Sequence, residues 1–286
     1  MTHNHLAIIG GTGLYQLDSL ENIVEHSIGT PFGKPSAPII EGQIHNQDVL
    51  FLSRHGQSHE FLPHEVNYRA NIWALKKLGA RSVLSISATG SLREDFKPGD
   101  IALVSQYFDY TRGKRDYSFF GDGVSGHIMA AKPTCPTLTE DVIKAAQSHD
   151  INPHTEATYA CVEGPRLGTR AESFFLKDAV KADLVGMTNV PEVFLAREAQ
   201  MGYVTMAIIT DYDCWMDDED HHVQIEEIFR IYGETINSVK AIIESLGQNG
   251  LSETPNWIRT AIAHAVLTPK DKLTSEQQDW LSTLRG

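Results

Sequence analysis

Cysteine is scarce: Cys135, Cys161 and Cys214 are the only three in 286 residues, far apart and in no CxxC or Cys/His spacing. An odd, scattered set of thiols argues against a disulfide framework and a structural zinc site and for a reducing compartment. Positive charge is in deficit too. Against 37 Asp+Glu stand 24 Lys+Arg, a formal charge of −13, and no basic run supplies a face for nucleic acid, which a net-negative field repels. A small anion stays open, because a few local donors outweigh distant carboxylates beyond a screening length of roughly 8 Å. Nowhere does an apolar run reach the roughly 18 residues of a membrane span. The start, MTHNHLAIIGG, has neither a basic segment nor an apolar stretch of signal-peptide length. A cytoplasmic chain without a membrane anchor is expected. Internal repeats and low-complexity tracts are also missing.

What is present is an ordinary globular composition, 41% hydrophobic and 21% charged. AIIG, VLFLS, SVLSISATG and VTMAIITDY are apolar on both pleat faces, as strands covered on both sides must be. Strands are expected at Leu6–Ile9, Ile39–Ile44, Asp48–Ser53, Ser82–Ala88, Ile101–Tyr107, Thr158–Val162, Leu184–Val185 and Tyr203–Thr210. Helical periodicity falls at Val66–Leu78, Leu138–His149, Arg170–Ala182, Val190–Ala199 and His222–Leu246. The alternation predicts an α/β fold, one domain with a central mixed β-sheet flanked by helices. The main domain is placed at residues 1–247. GQNGLSETPNW breaks the pattern there, and residues 248–286 form a C-terminal segment packing on its own or a neighbouring subunit. Beyond Pro269 it is a docked helix or a loose tail.

Four motifs stand at strand ends, where the carboxyl edge of an α/β sheet opens into a ligand crevice. Ile8–Leu14, IIGGTGL, is a glycine-rich turn whose N–H groups can converge on an anion, with the Thr12 hydroxyl beside them. Ser53-Arg54-His55-Gly56 offers a guanidinium that can grip a phosphate bidentately and an imidazole that can donate to it. Ser85–Leu92, SISATGSL, repeats the small-hydroxyl arrangement. Thr210-Asp211-Tyr212-Asp213-Cys214-Trp215 carries two carboxylates at i and i+2 on one strand face, a pattern for acid/base work or metal binding. The run MDDEDHH that follows has contiguous acids and histidines rather than ligand spacing, so a solvated loop and no metal are expected there.

These motifs, with TPFGKPS (Thr30–Ser36), NYRANIWALK (Asn67–Lys76), PGD (Pro98–Asp100), EGPR and RAES (Glu163–Arg166, Arg170–Ser173) and GMTNVPEVFLAREA (Gly186–Ala199), resemble the trimeric purine nucleoside phosphorylase family. Within it they are most similar to the branch acting on S-methyl-5'-thioadenosine. The resemblance spans about residues 6 to 215 and weakens toward Pro269. It implies phosphorolysis to adenine and 5-methylthioribose 1-phosphate, with inorganic phosphate as co-substrate and no cofactor. It assigns phosphate contacts to Thr12, Arg54, His55, Ser87, Ala88 and Thr188, the ribose contact to Met187, and purine contacts to Asp211 and Asp213. Ile225, Ile228 and Phe229 would line the methylthio pocket. His127 and Leu267 would come from a neighbouring subunit, implying a homotrimer or a dimer of trimers.

The chemistry fits that assignment. Breaking an N-glycosidic bond puts cationic character on the sugar and negative charge on the departing purine, so an anion is wanted on one side and an acid on the other. A neutral Asp211 can donate to N7 while its other oxygen accepts from the 6-amino group. Aspartate therefore favours adenine, where asparagine would suit a 6-oxo purine. Two positions depart from the family pattern: Leu167 and Gly168 stand where a phenylalanine and a serine commonly face the base, and Asn189 offers a further polar contact. Alternatives are a 6-oxo-purine or methylthioinosine phosphorylase, a hydrolytic nucleosidase, and a nucleoside-binding sensor protein.

Overall fold

The computed structural model describes residues 5–11, 14, 17, 19–216 and 225–286. Its strands are β1 (His5–Gly10), β2 (Leu20–His26), β3 (Ile39–Ile44), β4 (Gln47–Ser53), β5 (Ala80–Ser91), β6 (Ile101–Tyr110), β7 (His154–Val162), β8 (Leu184–Gly186) and β9 (Gly202–Tyr212). The helices are α1 (Tyr68–Lys77), α2 (Pro136–Gln147), α3 (Arg170–Phe174), α4 (Asn189–Glu198), α5 (Ile225–Asn249), α6 (Asn256–Arg259) and α7 (Ser275–Arg285). The strands form one nine-stranded mixed sheet flanked by helices, the expected class.

β1 shows why both faces must be apolar. Ala7 and Ile9 pack in one layer with Ile72 of α1 and Val193 of α4. Leu6 and Ile8 point the other way, into a layer with Val142 of α2 and Ile242 of α5, as side chains alternate along a strand. The second half of the sheet closes on itself: β5 pairs with β9 and β8, and β6 and β7 complete the ring. Because β4, β1, β5 and β9 are neighbours in parallel, their carboxyl ends emerge on one edge. There the Arg54 N–H donates to the Gly10 carbonyl at 3.0 Å.

Three elements differ from the expectation. β2 escapes a periodicity reading because it is an edge strand with almost every side chain in solvent, Ile23 at 60% exposure included. The helix expected over Arg170–Ala182 is α-helical only to Phe174 and continues as a π-helical stretch, Phe175–Val180, closed by Lys181 at φ 62°. β5 runs on to Ser91, which carries Gly90 into the sheet. The start expected for α5, His222, lies outside the described residues. After Pro269 the chain turns once and enters α7, which buries Trp280, Leu281 and Leu284 against the layer beneath α1.

Candidate active site

At the ends of β4 and β5 the side chains form a closed polar network. Arg54, 2% exposed, gives its Nε and one Nη2 hydrogen to the Glu192 carboxylate at 2.7 and 2.9 Å, another Nη2 hydrogen to Ser85 Oγ at 2.7 Å, and an Nη1 hydrogen to the Ile86 carbonyl at 3.0 Å. Glu192, on α4, also accepts from Ser85 Oγ at 2.7 Å and the Tyr203 hydroxyl at 2.9 Å. Burial alone would favour a neutral guanidine, but the charge and hydrogen bonds of Glu192 hold Arg54 above its ordinary pKa. Of five N–H donors, one on Nη1 is left, so the bidentate grip expected from the sequence is directed to Glu192. Asn189 is fully buried, its Nδ2 donating to Ser85 Oγ and the Tyr203 hydroxyl, both at 2.9 Å. Through that amide nitrogen it braces the network.

In front of the network, Ser87 Oγ and Thr188 Oγ1 stand 3.3 Å apart, and the Thr188 N–H donates to the Tyr159 hydroxyl at 3.3 Å. Ala88 is exposed within β5, three residues before its end. Thr12 lies outside the described residues. His55 departs from its expected part as donor. Its Nδ1 faces the Phe61 carbonyl at 2.9 Å, which only accepts, so Nδ1 carries the hydrogen and Nε2 presents a lone pair. Burial and the adjacent Arg54 charge push His55 down to about 4, against the Phe61 bond, so at neutral pH it is an acceptor.

The two carboxyls expected to meet the base lie around Gly90. A Cβ there would lie 3.1 Å from Asp211 Oδ2, 3.2 Å from Val185 Cγ1 and 3.3 Å from Asp213 Cβ; only glycine leaves the space between the two carboxyls open. Thr210 Oγ1 donates to Asp211 Oδ1 at 2.7 Å. Burial, aided by the charge of Asp213, nevertheless pushes Asp211 up to about 6. Asp213 is also raised, by burial. Met187 packs so closely on Gly164 that a Cβ there would lie 2.5 Å from its sulfur. Glu163 accepts from Arg115 Nε at 3.1 Å and from the Arg112 N–H at 2.5 Å. A cavity of about 270 Å³ begins among Gly164, Val185, Gly168 and Asp213. Leu167, 47% exposed, does not cover it.

The remaining expected residues lie at the surface. Ile225 and Phe229, on the first turns of α5, are 61% and 64% exposed, and Ile228 is half-buried. His127 and Leu267 lie 140 residues apart in sequence, yet the fold puts them on one two-stranded ribbon. The His127 N–H donates to the Ala265 carbonyl at 3.0 Å and the Leu267 N–H to the Ser125 carbonyl at 2.8 Å. His127 is exposed and Leu267 62% exposed. The loop that bears His127 is tied to the end of α4. Glu198 accepts from Ser118 Oγ and the Phe119 N–H, both at 2.7 Å, and Arg197 Nη2 donates to the Lys132 and Pro133 carbonyls at 2.8 and 3.0 Å.

Sequence reading missed Glu192, Ser85, Tyr203 and Arg115. Glu192 left a signal, a lone acid early in the apolar stretch VPEVFLA, but nothing named a partner 138 residues away. Among the described residues no cluster of His, Cys, Asp and Glu could hold a metal ion, and residues 217–222 of the acidic-histidine run lie outside them. No described helix is long and apolar enough to cross a membrane.

The model of the phosphorylase superfamily matches residues 5–244. An S-methyl-5'-thioadenosine phosphorylase of Hyperthermus butylicus is 48% identical over 241 residues, covering 84% of this chain and 86% of that one. The crystal structure of a methylthioadenosine phosphorylase from an antarctic soil metagenomic library is 39% identical, with a TM-score of 0.91 and 99% of both chains covered. A Schistosoma mansoni methylthioadenosine phosphorylase in complex with adenine is 34% identical, with a TM-score of 0.84 over 94% of this chain and all of that one.

Proposed function

Because the chain belongs to the phosphorylase superfamily, and within it to the S-methyl-5'-thioadenosine phosphorylases, we propose that it cleaves S-methyl-5'-thioadenosine with inorganic phosphate. A phosphate oxygen attacks the anomeric carbon from the side of Ser87, Thr188 and the remaining Arg54 hydrogen. The bond from that carbon to N9 breaks, its electron pair passes into the purine, and N7 takes a proton from Asp211. The products are adenine and 5-methylthioribose 1-phosphate. No cofactor enters.

The observation that carries this reading is a buried, raised carboxyl standing one sugar's length from an anion cradle. Ser87 and Gly90, which faces Asp211, are three residues apart on β5, roughly 10 Å along an extended strand. Ribose and the glycosidic bond fit between. His55, as an acceptor, takes a hydrogen from a protonated phosphate oxygen instead of adding charge to the cradle. Met187 bounds the sugar. The exposed His127–Leu267 ribbon covers the exposed Ile225 and Phe229 of a second copy, and the resemblance to the trimeric phosphorylases makes the working enzyme a trimer or a multiple of three. Three free thiols suit the cytoplasm.

Assays with methylthioadenosine, methylthioinosine, adenosine and inosine, with and without phosphate, test the reading. Strict phosphate dependence and a preference for methylthioadenosine are expected. Equal turnover in phosphate-free buffer, with free methylthioribose, makes the protein a hydrolase; a preference for methylthioinosine removes Asp211 as the reader of the 6-position.

A further inference from the structure

The cavity that Asp213 lines runs from the side of the two carboxyls to the surface. From Gly164 and Asp213 it continues past Gly168 to a rim carrying Arg112, Lys114 and Arg166. Its volume is about 270 Å³. Gly168 is the gap in the wall: a Cβ added there meets nothing within 4 Å, and its carbonyl is held by Cys214 Sγ at 3.4 Å. The neighbouring Leu167 side chain points substantially into solvent.

Charge at the rim is lopsided. Glu172 accepts from Arg166 Nη1 and Nη2 at 2.8 Å and from Arg112 Nη2 only at 3.4 Å, and hydrogen bonds from Arg166 and the Thr169 N–H pull it down to about 2. Deeper in, Glu163 is matched by the buried Arg115. Three cations thus face one rim carboxylate.

We infer that the base pocket takes purine nucleosides bearing a substituent at C2, and favours one that ends in a carboxylate. This rests on the adenine-nucleoside reading above. With N7 and the 6-amino group at Asp211, and the sugar on N9 beside Met187, C2 is the ring carbon on the edge left over. That edge opens past Gly168, and a chain of a few atoms from it ends among Arg112, Lys114 and Arg166. A serine or larger side chain at position 168 would narrow the passage.

Calorimetric titration of the free bases separates the two readings. The bases are adenine, 2-(carboxymethylamino)adenine and the neutral 2-(propylamino)adenine, and the proteins are the wild type, Gly168→Leu and Lys114→Gln. The backbone at Gly168 lies outside the left-handed region, so leucine there brings no φ strain. In the wild type the carboxylate base should bind at least as tightly as adenine and about three- to tenfold tighter than the propyl base at low salt, the preference shrinking as salt is added. Gly168→Leu should lower the ratio of substituted-base to adenine affinity at least about tenfold, and Lys114→Gln should lower the carboxylate-to-propyl ratio alone. Binding of adenine with rejection of both substituted bases overturns the inference and leaves the base site standing. Equal loss of all three bases in Gly168→Leu overturns it as well. Failure of the wild type to bind any of the three overturns the nucleoside reading itself.

Discussion

The end proposed to hold phosphate and the end proposed to hold the methylthio group are built on opposite plans. Around Arg54 the chain supplies every partner itself, and Arg54, Glu192, Ser85 and Tyr203 are all 2% exposed or less. Around Ile225 and Phe229 it leaves apolar surface bare, and it carries the ribbon of His127 and Leu267 bare as well. The chemistry explains the difference. Stabilising an anion needs donors fixed in advance in a dry setting, which a folded sheet edge provides. A thioether pocket needs only apolar cover, which a second copy can bring on assembly. α4 spans the two plans, with Thr188 before its first turn and the loop bearing His127 tied to its last.

The most severe test of the closed end is Arg54→Ala. It strands the Glu192 carboxylate in the interior, a change worth about 3 to 5 kcal/mol, or a fall in Tm of roughly 10 °C. Phosphate KM should rise strongly in whatever folded protein remains. To separate stability from function, Arg54→Met is combined with Glu192→Leu. The double variant should regain much of the lost Tm and keep the high phosphate KM. If its phosphate KM returns to the wild-type value, Arg54 does not touch phosphate; if Arg54→Ala melts with the wild type, the ion pair does not hold the network.

Much of this layout is legible in the sequence, and where legibility stops has a physical cause. Both-face hydrophobicity marks β1, β4, β5 and β9, and motifs at their ends fall on one edge because parallel neighbours point the same way. β2 has no such pattern, since an exposed edge strand needs only backbone partners. The π-helical turn after Phe174 keeps the composition of a helix, so periodicity carries it through. Arg54 and His55 stand out in the sequence as candidates for an anion site, yet their hydrogen-bond directions depend on Glu192 and on the Phe61 carbonyl. Those contacts exist only once the chain is folded, and they turn Arg54 from a fork into a single donor and His55 from donor to acceptor.

Asp211 stands at the boundary between closed and open construction, and its replacement should have the next largest effect. Asp211→Asn keeps a donor for N7 but has no proton to give. Turnover of methylthioadenosine should drop about 10²-fold or more, the scale of a general acid, equivalent to about 2.7 kcal/mol of barrier, with a smaller change in KM. The sign with pH follows from the raised carboxyl, held at about 6. Below that value it is protonated and able to act; above it, wild-type kcat/KM should fall by up to about tenfold per pH unit. The variant should lose that limb and gain in relative efficiency on methylthioinosine, to whose 6-oxygen the amide can donate. A limb that persists in Asp211→Asn assigns the acid to another group.

The smallest effect should come from the open end, and there its size and its target both matter. Leu267 is 62% exposed in the single chain, so truncating it costs the fold little. Placed over the methylthio group of a neighbour's substrate, it loses on the order of 1 kcal/mol of apolar contact on truncation, or about fivefold in KM for methylthioadenosine. Adenosine, which has a hydroxyl in place of the thioether, should feel Leu267→Ala less, and the phosphate KM should not move. Pairing it with Phe229→Ala decides whether the two side chains share a pocket. Contacting residues give a double variant whose loss falls short of the sum, whereas distant ones add. Strict additivity, or a Leu267→Ala protein with unaltered methylthioadenosine KM, would leave the ribbon without a role in the site and return the methylthio pocket to a single chain.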